Sequence, residues 1–112
     1  MADGTTPLCL ACQNGHIDAA QILLENGAEV DRPGKSGITP LYVACDNGRV
    51  NVARLLLDRD AAVDRTNDNG ETPLWIACQK GHVDVARLLL ERHAEVDEDD
   101  KDGRSPLYAA CW

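Results

Sequence analysis

Proline stands at positions 7, 40, 73 and 106, each time between Thr or Ser and Leu, and every step is 33 residues. A strict period of this length constrains the fold more than any other feature. Each unit is one supersecondary element that cannot bury its faces alone and must stack on its neighbours. Further ladders keep the same step: Gly4, Gly37, Gly70 and Gly103; Ala11, Ala44, Ala77 and Ala110; Cys12, Cys45, Cys78 and Cys111; Gly15, Gly48 and Gly81. Leu23-Leu24, Leu56-Leu57 and Leu89-Leu90, then Val30-Asp31, Val63-Asp64 and Val96-Asp97, complete the unit. The whole chain of 112 residues therefore reads as one domain (1–112), with repeats at 1–33, 34–66 and 67–99 and a partial fourth at 100–112.

The local chemistry of a unit follows from its residues. Thr39 is placed to cap a helix by accepting a backbone N–H, and Pro40 suits the first helical position, where a missing N–H costs nothing. Leu41, Ala44 and Cys45 then recur at helical spacing as a narrow face of small residues, and the helix is expected to end by Gly48. Val50, Ala53, Leu56 and Leu57 resume the period, opposite Arg49, Arg54, Asp58 and Arg59, which predicts a second helix over 50–59. The stretch from Val63 to Gly70 is rich in turn formers and ends on Asn69-Gly70, a dipeptide suited to positive φ, so an exposed finger joins successive helix pairs.

These residues resemble the ankyrin repeat, whose pattern is roughly Gly-x-Thr-Pro-Leu-His-x-Ala-Ala, a Gly-His turn, a second helix ending in Leu-Leu, and Gly-Ala-x-Val-Asn. The resemblance covers essentially the whole chain. It implies an all-α, slightly curved right-handed solenoid of helix-turn-helix units joined by hairpin-like fingers. Fingers and first helices would line a concave face, with second helices behind them.

The departures carry their own expectations. Cys9, Tyr42, Trp75 and Tyr108 replace the family's His, so the hydrogen bonds of that His must come from elsewhere. The Gly that ends the second helix survives as Gly27, while Asp60 and His93 replace it; a side chain in a left-handed conformation costs roughly 1 kcal/mol. Repeats two and three are thus expected to close less tightly than repeat one. Asp31, Asp64 and Asp97 replace the final Asn, and no asparagine-directed modification is expected. Neither end carries an obvious polar cap: the first copy opens in mid-finger, with Ala19, Ala20 and Gln21 making its second helix a weak one. The last helix, with Leu107, Ala110 and Cys111, is expected to fray, so the chain reads as a segment of a longer repeat protein or a minimal solenoid.

Composition narrows the partners. The net charge of -8 argues against nucleic acid or anionic lipid, which require clustered Lys and Arg. A protein with a basic or mixed-charge surface fits better, and the chain is expected to act as a monomer. No apolar run reaches the length of a membrane span, and Met1-Ala2-Asp3-Gly4 has no export character. An odd cysteine count of 5 without an export signal favours free thiols in a reducing, intracellular setting, cytoplasmic with the nucleus as an alternative.

Residues not claimed by the repeat are the binding candidates. On the fingers these are Arg32, Lys35, Ser36 and Ile38, then Arg65, Asn67, Asp68 and Glu71, then Glu98, Asp99, Asp100, Lys101 and Arg104. On the first helices they are Gln13, Asn14, Asp46, Asn47, Gln79 and Lys80. Tyr42, Trp75 and Tyr108 form an aromatic row that either packs between repeats or supplies binding anchors, with Trp75 expected to be the most exposed. The acidic run Glu95 to Asp102 either steers a basic partner or is a solvated finger.

Other chemistry finds little support. Cys9-x-x-Cys12 has the spacing of a redox or metal pair near a helix N-terminus, which can lower a thiol pKa, but Cys12 belongs to the buried ladder and no second pair supplies ligands. A calcium loop around Gly103 would put Ala109 where a bidentate Glu is required. His16 and His82 fall in the Gly-His turn, where Arg49 takes the same place in repeat two. No catalytic arrangement and no cofactor site is expected. The sequence thus favours a protein-interaction module, over a structural spacer in a longer array and over a thiol site at Cys9 and Cys12.

Overall fold

The computed structural model describes residues 5–94. Within them lie three helix pairs: α1 (Pro7–Asn14) with α2 (Ile17–Glu25), α3 (Pro40–Asp46) with α4 (Val50–Asp58), and α5 (Pro73–Gln79) with α6 (Val83–Glu91). A short 3₁₀ turn, Lys35–Gly37, sits at the first finger, and no strand forms among the described residues. The expected fourth repeat, with its frayed last helix and Cys111, lies outside the described residues.

Each first helix starts as its residues dictate. The hydroxyls of Thr6, Thr39 and Thr72 accept the N–H of Cys9, Tyr42 and Trp75 at 3.1, 3.2 and 3.1 Å, and proline occupies the next position each time. The helices stop at Gly15, Gly48 and Gly81, with φ of 72°, 69° and 75°. There the N–H of His16, Arg49 and His82 turns back to the carbonyls of Ala11, Ala44 and Ala77 at 3.0, 2.8 and 2.9 Å, satisfying acceptors the helix leaves open.

The first helices stack as one layer, α1 on α3 on α5, and the second helices as another, α2 on α4 on α6, with each pair packed across the layers. Ala11, Cys12, Ala44, Cys45 and Ala77 are buried in the inner layer, where small side chains let backbones approach. Leu56 and Leu89, with Val52 and Val85, are sealed beneath the second helices. Cys78 departs from the expected buried ladder. It is half-buried, beside a hollow shared with Ala77, Gly81, His82, Val83 and Ala86 on the far flank of the third pair.

Two further expectations are corrected. Repeats two and three do not close less tightly than repeat one: the N–H of Ala28, Ala61 and Ala94 each reaches back to Leu23, Leu56 and Leu89 at 3.0 Å. Asp60 (φ 67°) and His93 (φ 73°) adopt the left-handed conformation of Gly27, so the cost falls on backbone strain and not on hydrogen bonding. Nor is Trp75 the exposed member of the aromatic row. It is 4% exposed and Tyr42 6%, both within the core.

Candidate functional site

The inner layer and fingers form the candidate face, and its order begins with contacts between repeats. Arg49 Nε donates to the carbonyl of Gln13 at 3.2 Å, and one repeat later His82 Nε2 lies 3.1 Å from the carbonyl of Asp46. Both side chains lie over the turn glycine of the preceding repeat: a Cβ at Gly15 would come within 3.1 Å of the Arg49 side chain, and one at Gly48 within 2.9 Å of the His82 ring. The turn residue is thus a clasp onto the preceding first helix, which arginine can perform as well as histidine. Asp31 is a second clasp, its carboxylate accepting the N–H of Ala62 at 3.1 and 3.3 Å. The period alone carried the signal for both, since 49 aligns with His16 and His82, and 31 with Asp64 and Asp97.

The fingers are laced together. Asp68 N–H donates to the carbonyl of Ser36 at 2.9 Å, and Gly37 lies so close beneath Asp68 that a Cβ there would sit 2.5 Å from Asp68 Oδ1. The second finger closes on itself through Asn67. Its Oδ1 accepts the N–H groups of Asn69 and Glu71 at 2.9 and 3.0 Å, while its Nδ2 donates to Glu71 Oε1 at 2.9 Å. Tyr42 Oη donates to the same Glu71 oxygen at 3.4 Å. The missing family His is therefore replaced, in repeat two, by a phenol that reaches the base of the next finger. Burial, then the nearby carboxylates of Glu71 and Asp46, push the Tyr42 phenol well above its ordinary range.

The candidates fall into distinct groups. Arg32, Lys35, Ser36, Arg65 and Asp68 are exposed on the fingers, while Ile38 is half-buried. Asn67 and Glu71 are half-buried, and their polar atoms brace the finger. On the first helices Gln13, Asn14, Asn47, Gln79 and Lys80 are exposed and Asp46 is half-buried. Asp46 and Lys80 pair with each other at 3.1 Å, and Asn47 Nδ2 bonds the carbonyl of Val43 at 2.9 Å. Glu98, Asp99, Asp100, Lys101, Arg104 and Tyr108, with the acidic run, lie outside the described residues.

The thiols face chemistry opposite to that of a helix-activated pair. Burial, with a smaller contribution from neighbouring Cys9, pushes the Cys12 thiol up to about 12, and burial raises Cys45 and Cys78 as well. Redox exchange and metal ligation need the thiolate, which this environment disfavours at Cys12. Among the described residues no cluster of His, Cys, Asp and Glu has the arrangement of a metal site, and no helix is long and apolar enough to cross a membrane.

The family model described as ankyrin repeats (3 copies) matches residues 1–67 and again 60–112. No curated protein sequence matches the chain. Ankyrin repeats are in general protein–protein interaction modules and are typically non-enzymatic. With capped helix, glycine turn and clasp recurring at every described step, and the match running along the chain's whole length, the protein belongs to the ankyrin-repeat family.

Proposed function

We propose that the chain binds another protein through its fingers and concave first-helix face, and that it does so as a rigid surface. The observation that carries this reading is the division of labour on that face. Asn67, Glu71 and Tyr42 are committed to bracing, whereas Arg32, Lys35, Arg65 and Asp68 stand exposed on fingers already held in place by the Ser36–Asp68 bond. Fingers whose backbone is already ordered incur no loop-ordering cost on association, which favours affinity. Finger one is cationic through Arg32 and Lys35, and the next finger carries Asp68 and Glu71, so a partner of mixed charge is the best match.

The test is selection of a binder from a displayed protein library, followed by comparison of three forms of the chain. Lys35→Glu with Asp68→Lys is expected to lose capture, while Arg54→Glu with Arg87→Glu, on the exposed sides of α4 and α6, keeps it. Equal capture by the finger variant refutes the assignment. The spacer reading has one observation in its favour: Ile22 is 58% exposed on one flank, and Val83 is 62% exposed in the third pair, leaving apolar surface for further repeats. Binding that survives both pairs of substitutions and is lost on Val83→Lys supports that reading instead.

A further inference from the structure

The first-helix and finger side of the described repeats holds two equivalent cells, each formed by a first helix and the finger and first helix of the following repeat. In the cell between repeats two and three, the Tyr42 ring is buried, its hydroxyl meets Glu71, and Asn67 closes over the same carboxylate. One repeat earlier, position for position, Cys9 stands for Tyr42, Ile38 for Glu71 and Gly34 for Asn67. The ring and the carboxamide are gone, and the carboxylate has become an alkyl group. A half-open hollow of about 150 Å³ lies in their place, with Ile38 and Val43 as its open apolar walls, the buried Cys9 (4% exposed) at its floor, and Gly34, Thr5, Gln13 and Lys35 around it.

We propose that this hollow is an anchor site for a phenylalanine side chain of a protein partner, one flanked by carboxylates. The inference rests on the binding-face reading above and names the point on that face where an anchor enters. Its volume is that of a space that accepts a benzene ring, and its open side lets the ring enter from a partner with one edge left at the surface. The neighbouring cell gives the template: this scaffold holds an aromatic ring at the same position when the chain supplies one. Phenylalanine is preferred to tyrosine because Ile38 puts an alkyl group where Glu71 offers Tyr42 an acceptor, so the far end of the ring meets apolar surface at that position. Acidic flanks follow from charge. In a chain of net charge -8, none of the residues lining this hollow is acidic and Lys35 is among them. The site is also preformed, since the Thr6 cap fixes the start of α1 and Gly34 N–H bonds the Ile38 carbonyl at 2.8 Å across the finger. An aromatic group entering a prepared pocket with a polar rim has the anatomy of an interface hot spot.

The probe is the peptide acetyl-Asp-Phe-Asp-amide, titrated into the isotope-labelled chain and followed by amide shifts. Saturable shifts are expected at Thr5, Cys9, Gln13, Ile38 and Val43. The peptide with Ala for Phe, and the one with Lys flanks, are each expected to bind about tenfold more weakly, given the area a ring buries and the lost pairing to Lys35. The triple variant Cys9→Tyr, Ile38→Glu, Gly34→Asn copies the filled cell and is expected to lose binding while unfolding at the same or a higher temperature. Should it fold poorly, Cys9→Met fills the hollow with one flexible chain and is expected to lose binding in the same way. Equal binding of the Phe and Ala peptides, or retention by a folded variant with the hollow filled, overturns the anchor. A library-selected partner that contacts Lys35 and Asp68 but is indifferent to Cys9→Met overturns the anchor and leaves the binding face standing. One whose footprint lies on α2, α4 and α6 overturns the face itself.

Discussion

The three ends of the second helices form a natural substitution series at one backbone conformation. Gly27, Asp60 and His93 have φ of 94°, 67° and 73°, and the hydrogen bonds that follow are the same length in each repeat. Replacing Asp60 or His93 by Gly therefore alters strain without altering contacts of the main chain. A side chain held in the left-handed region costs about 1–2 kcal/mol, toward the lower end for Asp, whose short polar group tolerates it. Glycine returns part of that gain through the greater freedom of the unfolded chain, about 0.5–1 kcal/mol. The net expectation is a gain of about 0.5–1 kcal/mol for each substitution, and close to the sum for both, since they stand in different repeats. Thermal unfolding of a chain this size moves by roughly 4 °C per kcal/mol, so the double variant is expected to melt about 4–8 °C higher. The reverse change is the control. Gly27→Asp introduces a Cβ with nothing within 4 Å, so its whole net cost, again about 0.5–1 kcal/mol, is conformational. A double variant that melts lower, or a Gly27→Asp change that is neutral, refutes the claim that the left-handed closure stores strain.

Trp75→Ala is expected to cost about 3–5 kcal/mol in urea unfolding, because it empties a core position that is 4% exposed; a change under about 1 kcal/mol shows instead that the ring packs poorly. Arg49→His is expected to be nearly neutral and Arg49→Ala to cost about 1 kcal/mol, because either longer side chain clasps the preceding helix and alanine leaves the Gln13 carbonyl without that donor. Stability is expected to fall above about pH 9. Cys12 is raised to about 12 by burial, so the unfolded thiol ionises first; the folded state holds the extra proton, and stability declines with rising pH between the two values. The loss approaches about 1 kcal/mol per pH unit for Cys12, with Cys45 and Tyr42 adding in the same direction, and a Cys12→Ala, Cys45→Ala variant is expected to show a flatter profile.

What the period carries and what it leaves open differ for a physical reason. Thr-Pro starts, glycine turns and the Leu-Leu ladder are local requirements, repeated because each unit meets the same neighbour, so they can be read from one copy and checked against the others. The bracing of the fingers is not local: Asn67, Glu71 and Tyr42 look like spare polar and aromatic residues in sequence, and only their meeting, across a separation of 29 residues from Tyr42 to Glu71, shows them to be structural. The same logic shows why Trp75 was a poor guide to the binding surface. An aromatic residue at a position where the family keeps His is free to turn inward, and burial of a large ring outweighs the modest gain of leaving it as an exposed anchor. The deviation that matters for recognition is then the opposite one. Where the row lacks a ring, at Cys9, the scaffold retains a cell shaped by its periodicity and leaves the ring to be supplied from outside. In a repeat protein, missing side chains read against the neighbouring copies are as informative about binding as unusual ones.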